Sequence, residues 1–419
     1  MPNKPTILML PSWYPTKENP FAGSFFREQA LCLQEKYNFV VLRVIEKNEI
    51  WFLFYIKRLF GLERPQFSFV QDDKGLQEYL LFYKKPAYIC LAELKYNLRK
   101  FLKKEIRQGI GRYELKSVKK RQMKVVNKLK RKNLLPSFDC VYSLTSQDMA
   151  PLGKIFSDIY SVPHVTAEHA PFPWPGQLLK DSAAEAIEEA DAFLAISSDK
   201  VRQVMLQNVK ITPHYVWNLC DESKFSVSKE IHDVKTFLIV AANSFYKNLS
   251  LFIKTMEELK KIASKDFKII LAGYNANKGY SKNAAELEEA FQNSSINENT
   301  SLIEFVSRDD IPYLYNKCDA FVMTSIQEGL PVSAIEASMS GLPVFSTRCG
   351  GVEDYVDDTM GRIVSITDYK TLAKHCNDFL NGTITFDSEK IREKAISYFG
   401  RKAFVKNVSE VFDNVLENK

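Results

Sequence analysis

The chain is 419 residues long and 45% hydrophobic, enough for about two globular domains with ordinary cores. Lys and Arg number 57 against 51 Asp and Glu; a net charge of +6 is too mild for a dedicated nucleic-acid binder, and no apolar run reaches the length of a membrane span. Seven cysteines, odd in number and without a C-x-x-C pair, argue against a disulfide framework or zinc site and fit a reducing cytoplasm; the amino terminus lacks the long apolar segment of a signal peptide.

Short β-rich runs alternate with helical stretches in both halves. Residues 6–10, 39–44, 140–142, 164–166 and 192–196 are the strand candidates of the first half, and 236–240, 267–272, 301–305, 320–323 and 343–346 those of the second. The alternation predicts two α/β domains with parallel sheets. Ligands of such sheets bind beyond the carboxyl ends of the strands, where Gly273, Gly329 and Gly350 lie. A linker is expected at 217–225 and a final helix at about 401–416.

Between about 49 and 133 the alternation gives way to an insertion that reads as helical and basic. It opens on the aromatic run 51–60. Leu94, Leu98, Leu102 and Ile106 recur at helical spacing, as do Val118, Val125 and Leu129, and positive charge gathers at 99–104, 119–121 and 130–132. Basic amphipathic helices near aromatic residues read as membrane-surface elements, and equally as a helical subdomain with a solvated basic face.

The most informative stretch runs from Ser325 to Gly351. Residues 320–324 read as a strand, Pro331 suits a first helical position, and a helix is expected from about 331 to 341 with a strand after it. Helix N-termini present unpaired N–H groups and a partial positive charge, so the loop Glu328-Gly329-Leu330 is a natural phosphate cradle. Glu336, in the second turn, leans back toward the same ligand, and its two carboxylate oxygens match a ribose diol. The stretch therefore predicts a ligand that carries both a diphosphate and vicinal hydroxyls. Glu336 is also placed to flank, in water, the apolar face of Val332, Ile335 and Met339.

Glu328 is followed eight positions later by Glu336, with Gly-Leu-Pro after the first, Gly341-Leu-Pro-Val after the second and Gly350-Gly351 beyond. This arrangement resembles family 4 of the retaining glycosyltransferases (glycosyl transferases group 1), whose mark is a Glu-x7-Glu pair in the nucleotide-sugar site. Weaker matches recur in order along nearly the whole chain. The resemblance implies a GT-B fold, two Rossmann-like parallel-sheet domains facing each other across a cleft. The acceptor-side domain would span 1–217 and the nucleotide-sugar domain 226–400, with 401–419 returning to the first.

The same resemblance assigns roles. Glu328 would contact donor-sugar hydroxyls and Glu336 the ribose, with Ser325, Gly329, Leu330 and Pro331 around the phosphates. Lys247 resembles the family's Lys-Gly position, where an ammonium neutralises the donor diphosphate. The arginine usual a few residues earlier is replaced by Ala241, Ala242 and Asn243, so Asn243, Arg308 or Arg348 is expected to serve instead. Gly23 resembles the glycine that lets backbone approach donor phosphates and acceptor, with an ordinary turn glycine as the other reading. His169, after a strand that ends in Glu168, resembles the histidine beside the donor sugar; a structural histidine is the alternative. Backbone near Phe305 and Val306 is expected to read the base.

The reaction implied is transfer with retention from a UDP- or GDP-linked sugar to a glycan or lipid-linked acceptor in surface polysaccharide or glycolipid synthesis. No Asp-x-Asp occurs, which favours metal-independent departure of the nucleotide, and no cofactor or nucleic acid is expected. The expected place is the cytoplasm, at the inner face of the membrane with peripheral contact through 49–133. Two other classes stay open: a nucleotide-sugar 2-epimerase of the same architecture, which needs no acceptor, and a non-catalytic basic adaptor for membrane or nucleic acid.

Overall fold

A computed structural model describes residues 4–16, 23–47, 67–71, 75–84, 111–169, 179–228, 230, 232–275 and 284–418. The chain forms two compact α/β units, one of Met1–Leu194, Val204–His214 and Val408–Lys419, the other of Ala195–Gln203 and Tyr215–Asn407.

The first unit is built on strands β1 (Thr6–Pro11), β2 (Asn38–Lys47), β3 (Phe67–Gln71), β4 (Gln77–Lys84), β5 (Cys140–Leu144), β6 (His164–Glu168), β7 (Ala192–Ala195) and β8 (Pro213–Tyr215), in the order β3-β4-β2-β1-β5-β6-β7-β8. β1 pairs in parallel with β2 and β5, β2 with β4 and β5 with β6, while β3 closes the edge antiparallel to β4. The helices are α1 (Ser24–Leu33), α2 (Gly111–Arg131), α3 (Ser146–Tyr160) and α4 (Asp181–Glu188), followed in the chain by α5 (Ser198–Met205), which belongs to the second unit up to Gln203. Ile7 to Leu10 are fully buried, the continuous apolar run of a parallel strand covered on both faces. Val126 and Leu129 of α2 join Leu152, Ile155 and Phe156 of α3 in the core over β1, β2 and β5.

The reading of 49–133 as wholly helical is corrected here. β3 and β4 lie inside it and extend the sheet, Phe67 stacking on Tyr79 with ring centroids 5.5 Å apart. Alternating aromatic and aliphatic residues suit a half-covered edge, and the longer helical spacing nearby masked them. Within the described residues, α2 is the helical part; the runs at 51–60 and 94–106 lie outside them.

The second unit holds β9 (Lys235–Val240), β10 (Phe267–Ala272), β11 (Thr300–Ile303), β12 (Ala320–Met323), β13 (Val344–Thr347) and β14 (Gly361–Val364), all parallel, in the order β11-β10-β9-β12-β13-β14. Helices α6 (Leu249–Ile262), α7 (Ala284–Gln292), α8 (Ile311–Asn316), α9 (Val332–Met339), α10 (Tyr369–Asn381) and α11 (Ser388–Phe399) follow, and α12 (Arg401–Glu417) belongs to the first unit from Val408 on. From β9 the chain winds first to one edge, then returns to β12 and winds to the other. The strand order thus reverses between β9 and β12, the place where open α/β sheets bind ligands beyond the carboxyl ends of the strands.

One buried histidine ties the first unit's stability to pH. His164 Nε2 lies 2.8 Å from Ser143 Oγ, and a Cβ on Gly153 of α3 would sit 2.4 Å from that nitrogen. Burial pushes the imidazole down to about 3 from its ordinary 6.5, so it is neutral in the native state. The unfolded chain therefore takes up the proton first: the contribution is fully present above about pH 6.5 and is lost as pH falls toward 3. Between pH 7 and pH 5 this group should cost about 2 kcal/mol of stability. In His164→Gln that part of the curve of Tm against pH should flatten; a curve parallel to the wild type would contradict the assignment.

Candidate active site

The loops leaving β9 and β12 are braced to each other. After β9 the chain makes a 3-10 turn at Phe245–Lys247 and enters α6 through Asn248, whose φ of 49° an Asn tolerates better than most residues. After β12, the Ile326 N–H donates to the Tyr246 carbonyl at 2.7 Å. The buried Thr324 hydroxyl reaches the carbonyls of Lys247 at 3.3 Å and Asn248 at 3.2 Å. These bonds set Lys247 Nζ 2.6 Å from Glu328 Oε1, and the Ser325 hydroxyl donates to the same oxygen at 2.8 Å. Ser325 is held in turn, its carbonyl accepting from the buried Thr347 hydroxyl at 2.6 Å. The Lys247 and Glu328 side chains are only 26% and 15% exposed, so removing either strands a partly desolvated charge.

A second loop, after β13, presses against the first. Glu328 N–H donates to the Cys349 carbonyl at 2.7 Å. Gly351, at φ 70°, approaches so closely that a Cβ there would lie 2.2 Å from the Gly329 carbonyl oxygen; on Gly350, at φ 91°, it would lie 2.8 Å from that of Glu328. Positive φ and this contact together require glycine. The Glu353 carboxylate accepts the Gly350 N–H at 2.9 Å, and burial pushes that carboxyl up while Arg348 opposes the shift.

Above these loops stands the N-terminus of α9. Pro331, with φ −72° and ψ 106°, precedes the first helical residue, one place earlier than the sequence pattern predicts for it. Its ring fixes φ while ψ stays extended, so helical geometry begins at Val332. The N–H groups of Gly329, Leu330, Val332 and Ser333 have no hydrogen-bond acceptor among the described residues. With the helix dipole, four such donors suit an anion. Glu336 sits one turn in. The hydroxyl of the fully buried Tyr315 lies 3.1 Å from Glu336 Oε2 and 2.9 Å from the Ser333 carbonyl. Burial first, and then the Glu336 charge, hold this phenol well above its ordinary value, so it remains a proton donor.

Of the other expected residues, Asn243 ties its backbone N–H to the Tyr274 carbonyl at 2.9 Å and so anchors the start of the Lys247 loop to the end of β10. Val306 is half-buried against the core that α9 also uses, beside the exposed Phe305. Ala241 is buried in the core under β9. Gly23 and His169 belong to the first unit. Gly23, at φ 64°, precedes α1 at the end of the β1 loop, and a Cβ would lie 2.3 Å from the Trp13 carbonyl oxygen. The His169 ring meets Phe26 edge-on at 5.0 Å and Phe25 at 5.8 Å. Its neighbour Glu168 is fully buried and accepts the Ser146 N–H at 3.0 Å, capping α3. The Glu-His pair thus divides into a helix cap and an aromatic-packed histidine. The second unit brings together Lys247, Ser325, Glu328, Gly329, Leu330, Pro331 and Glu336. Tyr315, Thr324 and Thr347 escaped sequence reasoning because each looks like an ordinary core or strand residue.

Residues 221–402, which include Lys247, Glu328 and Glu336, match the family model of glycosyl transferases group 1. The O-antigen chain mannosyltransferase RfbU of Salmonella typhimurium is 30% identical over 129 residues, 31% of this chain and 33% of that protein. The UDP-Gal:alpha-D-GlcNAc-diphosphoundecaprenol alpha-1,3-galactosyltransferase of Escherichia coli is 24% identical over 121 residues, 27% of this chain and 30% of that one. The chain spans about a third of the length of these curated relatives. HepE of Anabaena, solved in complex with UDP, matches with a TM-score of 0.68 and 15% identity, covering 98% of this chain and 100% of that one. The chain has the GT-B fold of glycosyltransferases, and its residues 221–402 match group 1 of those enzymes.

Proposed function

We propose that this protein is a retaining, metal-independent glycosyltransferase of family 4. It moves a sugar from a UDP- or GDP-linked donor to a hydroxyl of a glycan or lipid-linked acceptor, at the cytoplasmic face of a membrane. The observation that carries the reading is the Lys247–Glu328 pair at the β9/β12 switch point, with the α9 N-terminus and Glu336 beside it. The match to glycosyl transferases group 1 supports it, as do a relative named for a diphosphoundecaprenol acceptor and a structural neighbour solved with UDP. No helix among the described residues is long and apolar enough to cross a membrane.

The chemistry follows from charge. As the bond between the anomeric carbon and the phosphate oxygen breaks, negative charge grows on the diphosphate. In this reading Lys247 and the N–H groups of Gly329 and Leu330 stabilise it. Glu328, steadied by Ser325, accepts hydrogen bonds from sugar hydroxyls, and Glu336 accepts them from the ribose diol. The acceptor oxygen attacks the anomeric carbon from the face the phosphate leaves, and its proton passes to the departing phosphate oxygen. One glycosidic bond replaces one sugar–phosphate bond with configuration retained, and no protein nucleophile is needed.

Thermal melts with UDP, GDP and ADP sugars should show a rise in Tm for one base, and Glu336→Ala should remove most of it. Lys247→Ala should fold but lose roughly 100- to 1000-fold in turnover. If no nucleoside diphosphate raises Tm, the reading fails; if the sugar nucleotide is isomerised without an acceptor, an epimerase replaces it. Tyr315→Phe should weaken the preferred nucleoside diphosphate by roughly three- to tenfold through loss of the bond that steadies Glu336. The 2′,3′-dideoxy analogue should show no such loss. Equal losses for both ligands would assign Tyr315 to packing alone.

A further inference from the structure

The side of α2 turned away from the core is a basic stripe. Val126 and Leu129 are buried against α3, while from Lys116 to Asn133 the sequence holds nine Lys or Arg and no Asp or Glu. Lys120, Lys124, Lys128 and Arg131 are exposed and recur at three- and four-residue spacing, so they line one side of the helix over about 16 Å. Met123, 42% exposed, stands among them.

The flanking cations are engaged locally. Lys119 pairs with Glu185 at 3.5 Å, and Lys130 donates to the Ile159 carbonyl and lies over the Tyr160 ring. Lys120, Lys124 and Arg131 have no acidic partner among the described residues. Like charges four residues apart destabilise a helix on their own, and an anionic surface would relieve that repulsion.

We propose that this stripe docks on a bilayer bearing anionic lipid headgroups. Three features favour a lipid surface over nucleic acid. Lysine, a point charge, dominates rather than the bidentate arginine fork. Lys120, Lys124, Asn127, Lys128 and Arg131 bring no aromatic ring on which a base would stack. The exposed Met123 offers an apolar chain to the headgroup region. The proposal rests on the membrane location proposed above and names the surface that meets it; its test is read without any sugar nucleotide, so docking and donor binding can fail separately.

Flotation of the full chain with vesicles tests it. Binding should appear with mixed phosphatidylcholine and phosphatidylglycerol, be absent with phosphatidylcholine alone, and weaken as salt rises. Each basic residue at an anionic surface contributes roughly fivefold, so Lys120→Gln, Lys124→Gln and Arg131→Gln combined should lower partitioning about a hundredfold. The variant with Lys120→Arg and Lys124→Arg should keep binding, and unchanged melting of both variants shows the fold intact. A wild-type chain that ignores the mixed vesicles overturns the proposal, as does undiminished binding of the triple Gln variant. Retention on a duplex DNA probe without vesicle binding overturns it in favour of nucleic acid.

Discussion

The ion pair between Lys247 and Glu328 is the contact on which the arrangement of the second unit turns. Its members stand 81 residues apart in sequence and meet at 2.6 Å because the strand order places β9 beside β12. The loops that carry them have few regular hydrogen bonds of their own, so Thr324, Ile326 and Thr347 supply cross-braces. Under the proposed function, an arriving diphosphate offers Lys247 a second anion. As the ammonium shifts toward phosphate, Glu328 is released to accept sugar hydroxyls, still held by Ser325. Donor recognition and positioning of the sugar then share one electrostatic exchange.

Backbone closeness does the rest. The Glu328-Gly329-Leu330 and Cys349-Gly350-Gly351 loops lie against each other with no room for a Cβ at Gly351, and Glu353 fastens the second loop from below. Close approach also accounts for the glycines here: the two loops meet main chain to main chain, and a Cβ at Gly351 would collide with the Gly329 carbonyl oxygen.

Much of this was legible in the sequence. The strands at 267–272 and 320–323 coincide with the expected runs, because parallel strands covered on both faces are nearly continuous apolar runs, interrupted in β10 by the exposed Lys268. β3, β4, β8 and β14 were not foreseen. The first two sit at a sheet edge inside a basic stretch, β8 has three residues, too few for a period to show, and β14 places the half-buried Arg362 where a continuous apolar run would be expected. In the site, Glu328, Glu336 and Lys247 announce themselves by spacing and context. The contacts that orient them do not, since Tyr315 reaches Glu336 across 21 residues and Thr347 reaches Ser325 across 22, partners that only the fold makes neighbours. The absent arginine before Lys247 has a physical counterpart in Ala241, buried in the core under β9, while the charge of Arg348 is directed at Glu353.

The most direct test of the central claim is a crystal structure with the nucleoside diphosphate that raises Tm most. The account predicts the diphosphate within hydrogen-bond reach of Lys247 Nζ and of the Gly329 and Leu330 N–H groups, with both ribose hydroxyls on Glu336. A nucleotide bound away from the β9/β12 switch point, with Lys247 still on Glu328, would contradict it.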